Sequence, residues 1–406
     1  MERGLTELME KAKAGDREAQ ADYAEYLENE SDRDDRESEA FYWYTQAAEQ
    51  GDSYAKYRLS AFYLNGIACE QDEDRAFSLV KEAAGEGLVG AMTTMGTFYD
   101  YGIACDKNPA EAVIWYREAA EAKEEEARYR LGKHYLDGDG VEKDPKEAVE
   151  WFRKASDQGH ARAAYELGWC YYNGIGIKEN EQKSVRYFDQ AAKGGIPGAQ
   201  YMMGFFYKDG TYVEENPKAA AEYFGLAAEQ DHAAAMAELG CCYIRGYGVE
   251  ENNEEAVRWF QKSAELDCDG AMMNLGICYE CGQGVPKDYK EAAKWYRKAL
   301  FAGNENGAYY LACLYADGGY GLERNPEQAK QMIRKMSEGA LTKVYVRLRE
   351  QDGCYIQNMS AGVNIQDQNG IWERIREGRI LSDFHGVKPR LLTDVIIERL
   401  LGSEEE

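Results

Sequence analysis

Residues 159–195 read Gly159-His-Ala-Arg-Ala-Ala-Tyr-Glu-Leu-Gly168-Trp-Cys-Tyr171-Tyr-Asn-Gly174-Ile-Gly176-Ile-Lys-Glu-Asn-Glu-Gln-Lys-Ser184-Val-Arg-Tyr187-Phe188-Asp-Gln-Ala191-Ala192-Lys-Gly-Gly195. The same pattern returns when the sequence is shifted by 36 residues in either direction. A repeat period between about 20 and 50 residues is typical of a solenoid or a related array. The sequence therefore predicts one elongated array, although a chain of 406 residues would otherwise suggest two or three domains.

Several columns recur at this period. The residues that open each frame are Gly15, Gly51, Gly87, Gly159, Gly195 and Gly303, with Lys123, Asp231 and Asp267 in the gaps. A second glycine lies nine positions later, at Gly96, Gly132, Gly168, Gly204, Gly240 and Gly276. The next columns hold tyrosines such as Tyr135 and Tyr171, a loop glycine such as Gly138, and an aromatic residue such as Trp151.

The first half of each frame predicts an amphipathic helix, which we call helix A. It reads Ala-x-x-x-Leu-Gly-x-x-Tyr, with apolar residues three and four positions apart. In frame 123 the stripe is Ala127, Leu131 and Tyr135, and Gly132 lies beside it. A glycine inside a helix costs about 1 kcal/mol relative to alanine. Its recurrence predicts that a partner helix crosses too close for a Cβ atom.

The second half of each frame predicts another helix, helix B. A turn such as Gly138-Asp-Gly140 ends helix A, because glycine adopts the positive φ of a helix C′ position. The pairs Asn108-Pro109, Asp144-Pro145, Asn216-Pro217 and Asn325-Pro326 then supply an N-cap and a first-turn proline. Every frame is thus an antiparallel helix pair that buries its apolar stripe only against the next pair.

Residues 1–350 are predicted to form the array, after a short charged helix within residues 1–14. Frames start near 15, 51, 87, 123, 159, 195, 231, 267 and 303, and a half frame starts at 339. After residue 350 the repeat pattern stops. Residues 351–406 are therefore predicted to be a helical cap over the last stacking face, since the end units of an array need a soluble outer face. The alternative is a docking or dimerising segment.

Composition excludes several classes of partner. The formal net charge of −26 and a sequence pI of about 4.7 argue against nucleic acid and against anionic membranes. The first ten residues lack the apolar core of a signal peptide, and no apolar run approaches 18 residues. Ten cysteines occur without a pair in every repeat. We therefore expect reduced thiols and a cytoplasmic location.

No pattern of catalytic or cofactor-binding residues stands out, and we predict neither an enzyme nor a cofactor. The Gly-x-Gly turns lack the Gly-Lys-Ser/Thr of a phosphate-binding loop. The four histidines, His134, His160, His232 and His385, show no helix-turn spacing to cysteine or carboxylate ligands and are expected to be packed or solvent-facing. No metal site is predicted, although Cys241, Cys242, Cys278 and Cys281 leave a metal-responsive regulator as an alternative.

The 36-residue pattern, with Gly-x-Gly-Val and Trp-Tyr/Phe-x-Lys-Ala-Ala segments, resembles the Sel1-like repeat. The resemblance covers about residues 15–350 and is strongest in frames 123 and 267. It implies an all-α fold, a right-handed α-solenoid of about nine antiparallel helix pairs related to tetratricopeptide arrays. It also implies a non-enzymatic adaptor or scaffold that binds other proteins.

By analogy with tetratricopeptide grooves, the variable positions of the A helices are expected to line a concave wall. The candidate partner-binding residues are Tyr129, Lys133, Arg162, Tyr165, Trp169, Tyr172, Tyr201, Phe205 and Lys208. Aromatic anchors with a few cations suit a protein or peptide ligand. The alternative for the tyrosine column is packing between neighbouring A helices. The predicted function is a scaffold that holds a peptide or helix, in a monomer or weak homo-oligomer; the alternative is an oligomerising component acting through the C-terminal segment.

Overall fold

The computed structural model describes residues 2–30, 35–337, 397 and 401, and this part of the chain is built from helices. In chain order they are α1 (Glu2–Lys13), α2 (Arg17–Glu30), α3 (Arg36–Glu49), α4 (Ser53–Asn65), α5 (Glu73–Gly85), α6 (Val89–Tyr101), α7 (Pro109–Glu121), α8 (Glu125–Asp137), α9 (Pro145–Ser156), α10 (Ala161–Asn173), α11 (Glu181–Lys193), α12 (Pro197–Asp209), α13 (Pro217–Ala228), α14 (Ala233–Arg245), α15 (Asn253–Glu265), α16 (Asp269–Cys281), α17 (Tyr289–Phe301), α18 (Asn306–Asp317) and α19 (Pro326–Arg334). The predicted all-α solenoid of helix pairs is confirmed.

Nine antiparallel pairs, from α2–α3 to α18–α19, follow the charged helix α1 within the described residues. They fall into two compact units, residues 1–194 with α1–α11 and residues 195–406 with α12–α19. Inside each unit an A helix packs mainly on the B helix of its own pair, and next on the B helix that precedes it. The alanine columns make this stacking close, since Ala127, Ala163, Ala235 and Ala271 are fully buried.

The glycine inside helix A lies against an aromatic ring of helix B in the same pair. The pairs are Gly96 with Tyr116, Gly132 with Phe152, Gly168 with Phe188, Gly204 with Phe224, Gly240 with Phe260, and Gly276 with Tyr296. A Cβ atom on these glycines would lie only 2.2–2.8 Å from a ring carbon. The predicted close crossing is therefore confirmed, and the obstacle is a buried side chain rather than the partner backbone.

Frames that lack this glycine mostly lack the ring as well. Frame 51 has Ser60 and Val80 at the two positions, and frame 303, after one extra loop residue, has Ala312 and Ile333. The first frame combines Ala24 with the buried ring of Tyr44, and nothing in the structure explains this exception. In most frames, a glycine on helix A thus occurs with an aromatic ring on helix B, and a larger residue on helix A occurs with an aliphatic residue on helix B.

Left-handed backbone positions mark the ends of both helices, as predicted. All nine frame-opening residues have positive φ, including the non-glycine residues Lys123, Asp231 and Asp267. The second loop glycine also has a steric role. A Cβ on Gly248 would lie 1.9 Å from the carbonyl oxygen of Pro217, the first residue of the preceding B helix. The backbone of these loops therefore contacts the start of the preceding B helix directly.

The predicted helix N-caps are also present. Asn108, Asp144, Asn216 and Asn325 each accept a hydrogen bond from a backbone N–H in the first turn of a B helix. Two A helices are capped by histidine: Nδ1 of His160 accepts from the N–H of Ala163 at 3.1 Å, and Nδ1 of His232 accepts from the N–H of Ala235 at 3.2 Å. Because Nδ1 accepts, the neutral ring carries its proton on Nε2.

The half frame at 339 and the segment 351–406 lie outside the described residues, apart from Ile397 and Leu401. Within the described part of the chain, every helix is either too short or too polar to cross a membrane.

The glycine–ring contact predicts opposite effects for two glycines of one pair. Gly204→Ala should lower the free energy of unfolding by about 1–3 kcal/mol, because the added Cβ would lie 2.5 Å from a Phe224 ring carbon. The matched control, Gly225→Ala in α13, adds a Cβ with nothing within 4 Å and should raise it by about 0.5–1 kcal/mol. Urea unfolding followed by circular dichroism measures both, and equal effects would contradict the packing argument.

The histidine cap predicts a pH dependence in the second unit. Burial lowers the pKa of His232 below its ordinary value of 6.5, so the unfolded chain takes up the proton more readily than the folded one. The stabilisation is complete above about pH 6.5 and declines as the pH falls below that value. His232→Asn keeps a cap that does not titrate. Between pH 7 and pH 5 the wild-type protein should lose more stability than this variant in urea unfolding; equal losses would contradict the prediction.

Candidate functional site

The nine candidate partner-binding residues lie on three A helices. Tyr129 and Lys133 are on α8, and Arg162, Tyr165, Trp169 and Tyr172 are on α10; the remaining residues, Tyr201, Phe205 and Lys208, are on α12. Helices α8 and α10 belong to the first unit and α12 to the second. The structure brings the residues together as two clusters, which we name the Trp169 cluster and the Phe205 cluster.

The Trp169 cluster is an aromatic patch on α10 supported from below by a buried ring. The centroid of the Trp169 ring lies 6.2 Å from that of Tyr165, 5.6 Å from that of Tyr172 and 5.3 Å from that of Phe188, all edge-on. Phe188, on α11, is fully buried, whereas Tyr172 is 40% exposed. Tyr165 and Trp169 are half-buried. One side of the patch therefore stays open to solvent.

Tyr129 links two pairs. Its ring stacks on His160 of the following pair at 4.8 Å and packs against Phe152 of its own pair. His160 in turn donates from Nε2 to the Glu126 carboxylate at 2.9 Å, and this bond, with help from Arg130, lowers the pKa of Glu126 to about 2. These contacts favour the alternative interpretation of the tyrosine column, in which the ring packs between repeats.

The Phe205 cluster repeats this arrangement in the second unit. Tyr201 lies 4.8 Å from Phe205 and 4.8 Å from His232 of the next pair, between ring centroids. Phe205 rests edge-on against the buried Phe224 at 5.4 Å. Burial raises the pKa of Tyr201, so its hydroxyl stays protonated at neutral pH. Phe205 and Tyr201 are both half-buried.

Two of the three candidate cations are already paired. Lys133 Nζ lies 3.5 Å from a Glu166 carboxylate oxygen, and Lys208 Nζ lies 2.8 Å from Glu238 Oε2 and 5.1 Å from the Phe205 ring centroid. Arg162 is exposed and makes no hydrogen bond or ion pair with another described residue. Arg162 is thus the candidate cation that remains available to a partner.

A polar cavity of about 180 Å³ adjoins the Phe205 cluster. Its walls are Lys208, Asp209, Glu215, Glu238, Cys241, Cys242, Arg245 and Tyr247. The Tyr247 hydroxyl donates to the backbone carbonyl of Lys208 at 3.0 Å. The repeat pattern does not predict this cavity; its one sequence signal is Tyr247, at a loop position that is isoleucine in three other frames.

Cys241, Cys242, Cys278 and Cys281 do not come together as a group of three or more potential metal ligands in the described part of the chain. All nine cysteines in the described part of the chain are free. Burial raises the pKa of Cys242 and of Cys278 to about 12, and it also raises the pKa of Cys241 and Cys281. Thiols with a raised pKa are poor nucleophiles at neutral pH.

A group of His and Asp residues does bring three ligand atoms together. The atoms come from Asp100, His134 and Asp139 and lie within 4.8 Å of one another, the one such group found in the described residues. His134 is buried, while His160 and His232 are the caps described above and His385 lies outside the described residues. Histidine spacing along the sequence does not predict this group, because Asp100 comes from the preceding frame.

Comparison with known proteins agrees with the repeat pattern. The model of the Sel1 repeat matches residues 17–52, 53–88, 89–123, 125–160, 161–196, 197–232, 233–268, 270–303 and 306–340. No curated protein is significantly similar to the chain in sequence.

Many solved structures are similar to this chain, and two of them cover most of its length with a similar fold. One is c5321, a protective antigen of uropathogenic Escherichia coli with an SLR fold, with a TM-score of 0.66, 24% identity, and coverage of 98% of this chain and 94% of that one. The other is a Sel1 repeat protein from Oxalobacter formigenes, with a TM-score of 0.54, 25% identity, and coverage of 76% and 89%. With nine matched repeats spanning most of its length, the chain belongs to the Sel1 repeat family.

Proposed function

We propose that this chain is a non-enzymatic scaffold that binds an extended segment or a helix of a partner protein along its A helices. Sel1 repeat proteins generally act as scaffolds for protein interactions. The observation that supports a binding surface here is the Trp169 cluster, whose rings are held edge-on by buried Phe188 and leave Tyr172 40% exposed. Aromatic side chains that are fixed in place bind a partner with little loss of conformational entropy.

The charges around the clusters narrow the chemistry of the partner. Because Glu166 and Glu238 already pair with Lys133 and Lys208, an acidic partner gains little from these lysines. We infer that the partner is anchored by apolar side chains, with one carboxylate or backbone carbonyl directed at Arg162. The net charge of −26 also favours a partner segment that is neutral or basic overall.

A peptide selection tests this assignment. Peptides selected from a random display library against the full-length protein should bind Trp169→Ala or Phe205→Ala about 10–30-fold more weakly, because truncation of an aromatic hot spot typically costs about 2 kcal/mol. Fluorescence anisotropy of the labelled peptide measures the affinity, and circular dichroism confirms the helix content. The control is Phe301→Ala, since Phe301 is 85% exposed and lies on a B helix. Unchanged affinity in both cluster variants, or an equal loss in the control, would contradict the proposal.

The oligomerising alternative depends on the C-terminal segment, and two described residues of that segment contact the last helix pair. Ile397 and Leu401 pack against a buried apolar face. This face consists of Ala308, Ala312 and Ala316 on α18, Ala329 and Ile333 on α19, and Met336 just after α19. The two residues are four positions apart, the spacing of one helical turn. We propose that the C-terminal segment is a cap that occupies the face where a tenth pair would stack.

The cap proposal predicts local opening in a full-length variant. Ile397→Asp combined with Leu401→Asp should reduce hydrogen-exchange protection of α18 and α19 at least about tenfold, because charged groups cannot remain in an apolar contact. Protection of α8–α11 should not change. The control Ile397→Val with Leu401→Met keeps the apolar contact and the protection. Equal protection in both variants would contradict the cap proposal. Protection that increases with protein concentration would instead favour contact with a second copy.

A further inference from the structure

The repeats supply an internal reference, and frame 123 departs from it at adjoining positions. His134, only 6% exposed, occupies a helix A column whose other members are aromatic, cysteine or leucine, namely Tyr26, Phe62, Phe98, Cys170, Phe206, Cys242, Cys278 and Leu314. Asp139 stands at a variable loop position that holds isoleucine in three frames but Thr211, Tyr247 and Gln283 in others. Asp100, from the preceding frame, stands at a variable helix A position that is also charged at Glu28, Lys208 and Glu280. A buried histidine that no other frame has at its position thus lies beside two aspartates.

The hydrogen bonding of His134 fixes which ring nitrogen is available. Nδ1 lies 2.8 Å from the backbone carbonyl oxygen of Asp139, and a carbonyl only accepts, so Nδ1 carries the proton. In the neutral ring Nε2 then presents a lone pair. That nitrogen faces Asp100 Oδ2 at 3.5 Å, on a carboxylate side chain that is itself only 17% exposed. A lone pair and a carboxylate oxygen facing each other repel unless a cation lies between them.

The separation of 3.5 Å fits a metal ion better than a direct bond. A charge-assisted N–H···O hydrogen bond is usually about 2.7–2.9 Å long. Ligand atoms bound to Zn²⁺ at about 2.0–2.2 Å in tetrahedral geometry lie about 3.4 Å from each other. The carboxylate of Asp139 supplies a third ligand atom within 4.8 Å of the others. A histidine whose other nitrogen donates to a backbone carbonyl is also the usual arrangement in metal sites.

We propose that Asp100, His134 and Asp139 form a binding site for a divalent transition-metal ion of the Zn²⁺ class. Nε2 of His134 and one carboxylate oxygen from each aspartate bind the ion, and water completes the coordination. Mg²⁺ and Ca²⁺ prefer sites made only of oxygen ligands, so the imidazole selects against them. Because Asp100 is on α6 and His134 is on α8, the ion joins two successive A helices and stabilises their stacking.

Substitutions taken from the other repeats test the site in the full-length protein. His134→Phe and Asp100→Leu introduce residues that neighbouring frames already use at these positions, so the fold should persist. Isothermal titration with Zn²⁺ should show one site in the wild-type protein. Each variant should bind at least about 100-fold more weakly, since even the outer-shell partners of a metal ligand contribute about 10–100-fold. The rise in Tm on adding Zn²⁺ should disappear in both variants.

Two controls separate this site from the cysteines. Cys281→Ser, which removes the exposed thiol, should bind Zn²⁺ like the wild-type protein. The Co²⁺ complex should lack thiolate-to-metal charge-transfer absorption, and Mg²⁺ should leave Tm unchanged. The proposal is overturned if the wild-type protein binds no Zn²⁺ or if His134→Phe binds it equally well. In the first case His134 contacts Asp100 without a bound ion; in the second case the ion binds elsewhere.

Discussion

In six of the nine described helix pairs, the contact between a glycine of helix A and a ring of helix B sets the geometry on which the rest of the structure depends. The rings of Tyr116, Phe152, Phe188, Phe224, Phe260 and Tyr296 are at most 1% exposed, and each occupies the space where a Cβ would project. Protein interiors are packed too densely to accept an extra methyl group there without rearrangement. The distance between the two helices of a pair is therefore fixed by side-chain volume, and the stacking of alanine columns follows from it.

The candidate binding surface is a consequence of the same contact. The ring of Phe188 on α11 lies against Gly168 of α10 and extends to Trp169, which packs on it edge-on at 5.3 Å. Phe224 on α13 has the same relation to Gly204 and Phe205 of α12. A large side chain next to the glycine is thus supported on one face and left partly open on the other. Frames with Thr97, Cys241 or Ile277 at this position keep the glycine–ring contact without the aromatic patch. Fold and surface can therefore vary independently between frames.

Periodic features were predictable from the sequence, whereas contacts that join different frames were not. The helix pairs, the caps at Asp144 and Asn216 and the steric role of Gly132 all follow from rules that act within one frame. The sequence predicts Lys133 and Lys208 as cations available to a partner, but the structure pairs them with Glu166 and Glu238 of the next frame, about one repeat away in sequence. Such pairings depend on the offset between stacked pairs, which a repeat pattern does not specify. The contact between Asp100 and His134 was not predictable for the same reason, because the two residues lie in adjacent frames.

A repeat array offers its own test of which residues have a role beyond packing. The stability of a solenoid is approximately a sum of contributions from repeats and from their interfaces, so one frame can lose some stability while its neighbours keep the array folded. A buried histidine in a column of aromatic residues, cysteine and leucine is such a loss, because a buried polar group costs free energy unless it is fully hydrogen-bonded. His134 satisfies Nδ1 through a carbonyl oxygen but leaves Nε2 3.5 Å from the nearest carboxylate oxygen. A bound cation at this point would turn that unfavourable substitution into a link between two repeats.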